Sequence, residues 1–306
     1  MKFIDGVENF DINCETSLTI GNFDGIHIGH AKIIDTTVAI ARDEGLSSVV
    51  ITFDPHPSRV FGHDIQLLMS LNKKNEILSN MGVDYHILIK FNKEIMNMDP
   101  EVFVRELLIK KLNAKFIVVG YDYRFGARRK GDFELLKTLS RRYNYTALKI
   151  DKIVIDDMTV SSSNIRKLLL NGNLLHANRM LGRYYLVEGE VERGDGLGRL
   201  LKFPTANIKV FDYLIPKYGV YATLLKVDDM IYKSVTNVGI RPTIPGSNEL
   251  RVESYIFDFD GNIYGKKVEL FFVDYLREEM KFNDFELLKK QIEKDCIVAR
   301  EVLKNI

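Results

Sequence analysis

The sequence predicts an α/β half followed by an antiparallel barrel or sandwich that closes with a helix. Up to about residue 183, apolar strand-like runs alternate with segments of helical periodicity, the pattern of a mostly parallel sheet covered on both faces. Beyond Arg183, strand-like runs follow one another, parted by turn signals and almost without helix between them. The length, 306 residues, suffices for two domains of ordinary size.

Taken in order, "SLTI" (17–20) is a strand that empties into the glycine loop "GNFDGIHIGH" (21–30), and helical periodicity runs from about Gly29 to Arg42. "SSVVITF" (47–53) is a buried strand. "NKKNEILSNMG" (72–82) is a helix with a glycine C-cap, and "YHILIKF" is the next strand. "DPEVFVRELLIKKL" starts a helix with Asp99 as N-cap and Pro100 in its first position. "KFIVVG" (115–120), a helix from about Asp132 and "YTALKI" complete the half. The second half offers "YYLVEGEVERG", "GVYATLLKV", "IYKSVTNVG", "RVESYIFDF" and "KKVELFFVDYL" as strands. In the terminal helix, Asn283 and Glu286 form a capping box, and Phe285, Leu288, Ile292, Ala299 and Leu303 make its apolar face. The boundary falls within 172–183, giving domains 1–182 and 183–306.

Hydrophobic residues make up 46% and charged residues 28%, as in a globular protein with a sizeable core. With 43 basic against 42 acidic side chains, no basic excess points to nucleic acid or a membrane surface. Cys14 and Cys296, far apart, make neither a disulfide framework nor a cysteine-rich zinc site. The start "MKFIDGVENFD" lacks the apolar run of a signal peptide, and no stretch approaches the roughly 18 apolar residues of a membrane span. A cytoplasmic protein is expected.

His27 and His30 stand three apart at a predicted helix start, where free N–H groups and the helix dipole favour phosphate. Imidazoles there can donate to a phosphoryl group as negative charge builds. Two other readings stand beside this one: the pair packs and caps, or it binds zinc with His56 of "FDPHP" as a third ligand. The loops after Ile20, Asp54 and Gly120 all follow strands of a parallel sheet, so they are expected on one rim. In "VVGYDYRFGARRKGD" (118–132), cations stand beside aromatic rings, which suits a phosphorylated planar ligand. In "VSSSNIRKLL" (160–169), Ser161 to Ser163 can cap a helix whose first turn holds Arg166, a hint of a nearby anion.

The order GNFDGIHIGH, TFDPHP, VVGYDYRFG and VSSSNIR resembles the adenylyltransferase module of bacterial bifunctional riboflavin kinase/FAD synthetases, members of the HxGH nucleotidyltransferase superfamily. The resemblance implies a Rossmann-like nucleotidyltransferase domain that moves AMP from ATP onto FMN. It assigns His27 and His30 to the phosphorus in transfer and Arg166, with Ser161 and Ser162, to the triphosphate. Gly21, Asn22, Phe23, Asp24 and Gly25 line the ATP phosphates, and Asp122, Tyr123 and Phe125 lie near flavin or nucleotide. The family usually shows Phe at the Tyr123 position and Thr at the Ser163 position.

"GDGLGRLLKFPTANI" (194–208) is glycine-rich but is neither a Walker A loop nor a dinucleotide fingerprint. If that piece is extended, Thr205 and Asn207 point the same way and offer neutral oxygens suited to magnesium. Glu253 in "RVESYIFDF" shares a strand face with Arg251 and Tyr255, and that face meets either water or a ligand. These segments, with YGVYA, NVGIRPTI and LREEMKF, occur in the order of the riboflavin kinase module of the same enzymes. The resemblance implies a six-stranded Greek-key barrel, Mg²⁺ and ATP phosphate on Thr205 and Asn207, and Glu253 as base toward the ribityl hydroxyl. Gly196, Gly198, Arg199 and Pro204 then belong to the nucleotide loop, and Arg277 to a segment closing over the flavin. Lys202 replaces the family's usual glycine.

The expected function is ATP-dependent conversion of riboflavin to FMN and of FMN to FAD with release of pyrophosphate. The alternative is an adenylyltransferase whose kinase half is impaired. Mg²⁺ or another divalent cation, ATP, riboflavin, FMN and FAD are the expected small molecules, with no nucleic acid or membrane partner and the oligomeric state open.

Overall fold

The computed structural model describes the chain except residues 11–13, 61, 63, 64, 195–202, 212, 245, 246 and 283, together with the side chains of 241–249. Gly196, Gly198, Arg199 and Lys202 therefore lie outside the described residues. Two compact units are present, Met1–Ser161 and Ser162–Ile306.

The first unit holds β1 (Lys2–Asp5), β2 (Thr16–Ile20), α1 (Ile28–Glu44), β3 (Ser47–Asp54), α2 (Pro57–Val60), α3 (Leu71–Asn80), β4 (Tyr85–Lys90), α4 (Lys93–Asn97), α5 (Pro100–Val102), β5 (Ala114–Gly120), α6 (Phe133–Tyr143) and β6 (Thr146–Ile150). A small antiparallel pair follows, β7 (Val154–Ile155) with β8 (Met158–Thr159). Strands β1 to β6 make one parallel sheet in the order β1-β4-β3-β2-β5-β6. Near-continuous apolar strands such as β3, with Val49, Val50 and Ile51 fully buried, are what a sheet covered on both faces requires. One face packs on Phe103, Leu107 and Leu108, the other on Ile33 and Ile34 of α1 and Leu78 of α3.

Most elements follow the sequence reading, with instructive departures. Helix α3 ends with Met81 as its cap and Gly82, at φ 79, one residue beyond. Gly82 N–H donates to Ser79 O (3.0 Å) and Val83 N–H to Leu78 O (3.2 Å), a Schellman closure. The helix started by Asp99 is α-helical for one turn, then π-helical over Phe103–Lys111. Its buried residues, Phe103, Val104, Leu107, Leu108 and Leu112, belong to the core on one face of the sheet. Strand β1 carries only one buried side chain, Ile4, and such a short edge leaves almost no periodic signal.

The second unit opens with α7 (Ser162–Leu170) and α8 (Leu174–Leu181), then β9 (Tyr185–Glu192), β10 (Thr205–Val210), β11 (Gly219–Val227), β12 (Met230–Ile244), β13 (Ser247–Ile256), β14 (Lys267–Arg277) and the terminal α9 (Phe285–Val302). Because α7 begins at Ser162, Arg166 opens its second turn and not its first. The six strands form a closed barrel, β10-β13-β12-β11-β14-β9. The β11-β12-β13 meander with β14 returning beside β11 makes the Greek key. In α9 the N-cap is Asp284, whose carboxylate accepts the Glu286 N–H at 2.8 Å; Asn283 lies outside the described residues. Ala299 and Leu303 are buried against the barrel, whereas Phe285 is 63% exposed, so the apolar face starts later than its periodicity predicts.

Candidate functional site

Strands β3, β2 and β5 are neighbours in the sheet, so the loops after Ile20, Asp54 and Gly120 meet on one rim. The chain leaves β2 through a turn in which Phe23 (φ 46) and Ile26 (φ 32) hold left-handed backbone. That conformation is costly for an aromatic or β-branched residue and persists only where neighbours over-determine it. Two tethers do so. The buried Asp24 carboxylate accepts the Leu68 N–H at 3.0 and 3.2 Å, and Lys74 Nζ of α3 donates to the Asn22 carbonyl at 2.8 Å. Phe23 itself is core.

His27 is the N-cap of α1: its Nδ1 accepts the His30 N–H at 3.1 Å. The two rings stack, 3.6 Å between centroids and 17° between planes, and Phe23 meets the edge of His30 at 5.1 Å. His30 Nδ1 is buried with no hydrogen-bond partner among the described residues. Burial, the neighbouring His27 and the Lys74 ammonium, in that order, hold the His30 imidazole well below its usual range, so it is neutral at pH 7. Lys74 is itself lowered by burial, an effect opposed by Asp24 and Asp54. Among the described residues no three histidine, cysteine or carboxylate side chains gather around a metal position, so the zinc reading of His27, His30 and His56 finds no support.

The 121–131 loop divides the residues expected at the ligand. Asp122 is exposed, but Phe125 is only 6% exposed and packs with Phe103 and Tyr123 in the core. Arg124 pairs with Asp132 at 2.6 Å, and Arg128 and Arg129 stand exposed on left-handed backbone. Ser161 closes the first unit, whereas Ser162 and Arg166 belong to α7 of the second.

On the barrel, Thr205, Asn207, Arg251, Glu253 and Tyr255 alternate with the buried Ala206, Ile208, Val252, Ser254 and Ile256, so they share the outer face. The register sets Thr205 opposite Tyr255 and Asn207 opposite Glu253, bringing the three predicted side chains onto one patch. Arg251 Nη1 stands 3.5 Å from Glu253 Oε1. At Gly194, the last described residue before the glycine stretch, an added Cβ would lie 2.1 Å from Asn207 Nδ2, so a larger residue there would displace the Asn207 amide. Pro204 is exposed. Arg277 grips Asp295 of α9 with two hydrogen bonds, at 2.8 and 2.6 Å, and donates to Glu278 O at 2.7 Å. It thereby braces the segment that follows β14.

Sequence reasoning missed Lys74 and the reason for Gly29. "NKKNEIL" reads only as part of a helix, and it is the tertiary contact with Asn22 that marks Lys74.

The comparisons with known proteins match the two parts of the chain to two separate families. A FAD synthetase family model matches residues 10–164 and a riboflavin kinase model residues 181–303. The chain is 37% identical over 283 residues to a Listeria monocytogenes protein named bifunctional riboflavin kinase/FMN adenylyltransferase, covering 91% of this chain and 89% of that one. An Escherichia coli K12 protein of the same name is 34% identical, covering 98% and 97%. A solved Streptococcus pneumoniae structure described as a macrolide-efflux protein superposes with a TM-score of 0.89 at 29% identity, over 97% of this chain and 98% of that one. No helix among the described residues is long and apolar enough to cross a membrane.

Proposed function

Since the chain belongs to the bacterial bifunctional riboflavin kinase/FMN adenylyltransferase family, we propose that its C-terminal half phosphorylates riboflavin to FMN and its N-terminal half adenylylates FMN to FAD. One observation carries this: each half matches one of the two enzyme families, and neither match is missing. The impaired-kinase alternative has nothing in its favour.

In adenylyl transfer, an FMN phosphate oxygen bonds to the α-phosphorus of ATP, the bond to the β-phosphate oxygen breaks, and pyrophosphate leaves. The chain contributes positioning and charge neutralisation. His27 and His30, stacked at the start of α1, present their rings to the phosphorus in transfer, and the α1 N-terminus adds its dipole. The turn backbone from Gly21 to Gly25 lines the phosphates. Of Asp122, Tyr123 and Phe125, the exposed side chain free to meet ligand is Asp122, while Phe125 lies in the core and Tyr123 packs half-buried against it. Ser161, Ser162 and Arg166 are assigned to the triphosphate. The 1–182 stretch is then the adenylyltransferase and 183–306 the kinase.

In the kinase half, Thr205 and Asn207 fit a magnesium ion. Both are neutral oxygen donors on one face of β10, a set that leaves coordination for phosphate and water. Bound with nucleotide, the ion neutralises phosphate charge. Glu253, across the register from Asn207, accepts the proton of the ribityl hydroxyl as that oxygen bonds to the γ-phosphorus, the bond from that phosphorus to the β-phosphate oxygen breaks, and ADP leaves. Arg277 supports the flavin-side segment through Asp295. The free thiols Cys14 and Cys296 suit a reducing cytoplasm. The test is to incubate the chain with riboflavin, ATP and Mg²⁺ and separate the flavins by chromatography. FMN followed by FAD supports the reading, and unchanged riboflavin defeats it.

A further inference from the structure

Lys74 is half-buried in α3 and takes no part in the residue assignments above. It reaches out of its helix to the Asn22 carbonyl at 2.8 Å, inside the turn that delivers both histidines. The same turn holds two bulky residues, Phe23 and Ile26, on left-handed backbone, and Lys74 supplies one of the tethers that hold it there. The surroundings of its charge come from several elements: Asp24 in the turn, Asp54 at the end of β3, His86 on β4, and His30 in the first turn of α1.

We propose that Lys74 is a positioning residue for adenylyl transfer, clamping the catalytic turn through its hydrogen bond to the Asn22 carbonyl and carrying its ammonium on the His30 side of that turn. The clamp fixes where the rings point. The charge disfavours a second cation on His30, which stays neutral and keeps one N–H to donate. This rests on the adenylyl-transfer reading of the N-terminal half.

The two contributions separate experimentally in the full chain. Lys74→Met removes both hydrogen bond and charge, Lys74→Gln keeps an N–H donor without the charge, and Lys74→Arg keeps both. FAD formation from FMN and ATP is expected to fall about tenfold or more in Lys74→Met, with riboflavin phosphorylation unchanged. Lys74→Gln recovers part of that rate, and Lys74→Arg most of it. The NMR titration of His30, assigned with His30→Gln, moves to higher pH in the Met and Gln variants, because a nearby positive charge is gone. In Lys74→Arg it stays in place. The acid limb of the adenylylation rate profile moves with it. A merely structural lysine would leave the titration unmoved. Either a Lys74→Met rate within twofold of the parent or an unshifted His30 titration in Lys74→Gln overturns the proposal. If Lys74→Met does not fold, Lys74→Gln alone decides. Failure of the parent chain to make FAD from FMN would instead defeat the adenylyl-transfer reading itself.

Discussion

A Cβ at position 29 would stand 3.2 Å from both Cε1 and Nδ1 of His27, closer than side chains ordinarily pack. The glycine between the histidines therefore lets the His27 ring fold back over the first turn, where it caps α1 and stacks on His30. Gly29→Ala is expected to turn that ring and lower FAD formation about ten- to a hundredfold, with riboflavin phosphorylation intact. On the barrel, Gly194→Ala would drive a methyl group into the Asn207 amide, so it should cut riboflavin phosphorylation by a similar factor and spare adenylylation of supplied FMN. The assigned residues make the reciprocal pair. His27→Ala with His30→Ala is expected to lower FAD formation at least a hundredfold without loss of FMN formation, and Glu253→Gln to do the reverse. Chromatography of the flavin products from riboflavin and from FMN reads all four. These residues were legible because each lies in a short local pattern. The facing of Asn207 and Glu253 was not, since strand alternation gives a side chain's face but not its partner across the register.

Helix α3 shows what element-level pattern leaves out. Its sequence reads simply as a helix with a glycine C-cap, and nothing in that reading shows that Asn75 and Lys74 both reach inward. His86, fully buried on β4, donates from Nδ1 to Asn75 Oδ1 at 2.5 Å and accepts the Thr52 hydroxyl at Nε2 at 2.8 Å, tying α3 to β4 and β3. A buried imidazole with both nitrogens satisfied in the neutral form resists protonation. Burial first, then the Lys74 charge, pushes His86 down to about 3. The sign follows from linkage. Below about 6.5 the unfolded chain takes up a proton that the folded His86 refuses, so this stabilisation is complete above pH 6.5 and is lost as pH falls toward 3. Its largest slope is about 1.4 kcal/mol per pH unit. Denaturant midpoints measured from pH 7 to pH 4 should fall more steeply for the parent than for His86→Leu; parallel curves would remove His86 from that role. The sheet that His86 helps hold was readable from its apolar runs, as were five of the barrel strands. The π-helical turn after Val102 was not, because the same buried residues suit either winding until the core chooses.

At the scale of the molecule, composition and motif order place the division between 182 and 183, and the family models leave 165–180 unmatched between them. Packing assigns that stretch: α7 and α8 fall in the compact unit that holds the barrel. Asn178 of α8 donates to the Phe272 and Val273 carbonyls at 3.0 and 3.3 Å and accepts the Tyr185 N–H at 2.7 Å, so one amide joins the helix to two barrel strands. Leu169 O accepts the Lys217 N–H at 3.0 Å, and Leu174, Ala177, Met180 and Leu181 are buried. A motif-based boundary follows ligand residues, whereas a packing boundary follows which elements lie against one another, and here the two diverge by about one helical hairpin. The divergence is measurable. A fragment 162–306 keeps α8 on β9 and β14, while 183–306 exposes the strand face that α8 covers and leaves the Phe272 and Val273 carbonyls without the Asn178 amide. The longer fragment should melt roughly 5–10 °C higher, as expected for a difference of one to two kcal/mol in a domain of this size. Calorimetry of the two fragments decides it. Equal midpoints would mean that the hairpin is carried by the barrel without supporting it, and that the packing boundary has no energetic weight.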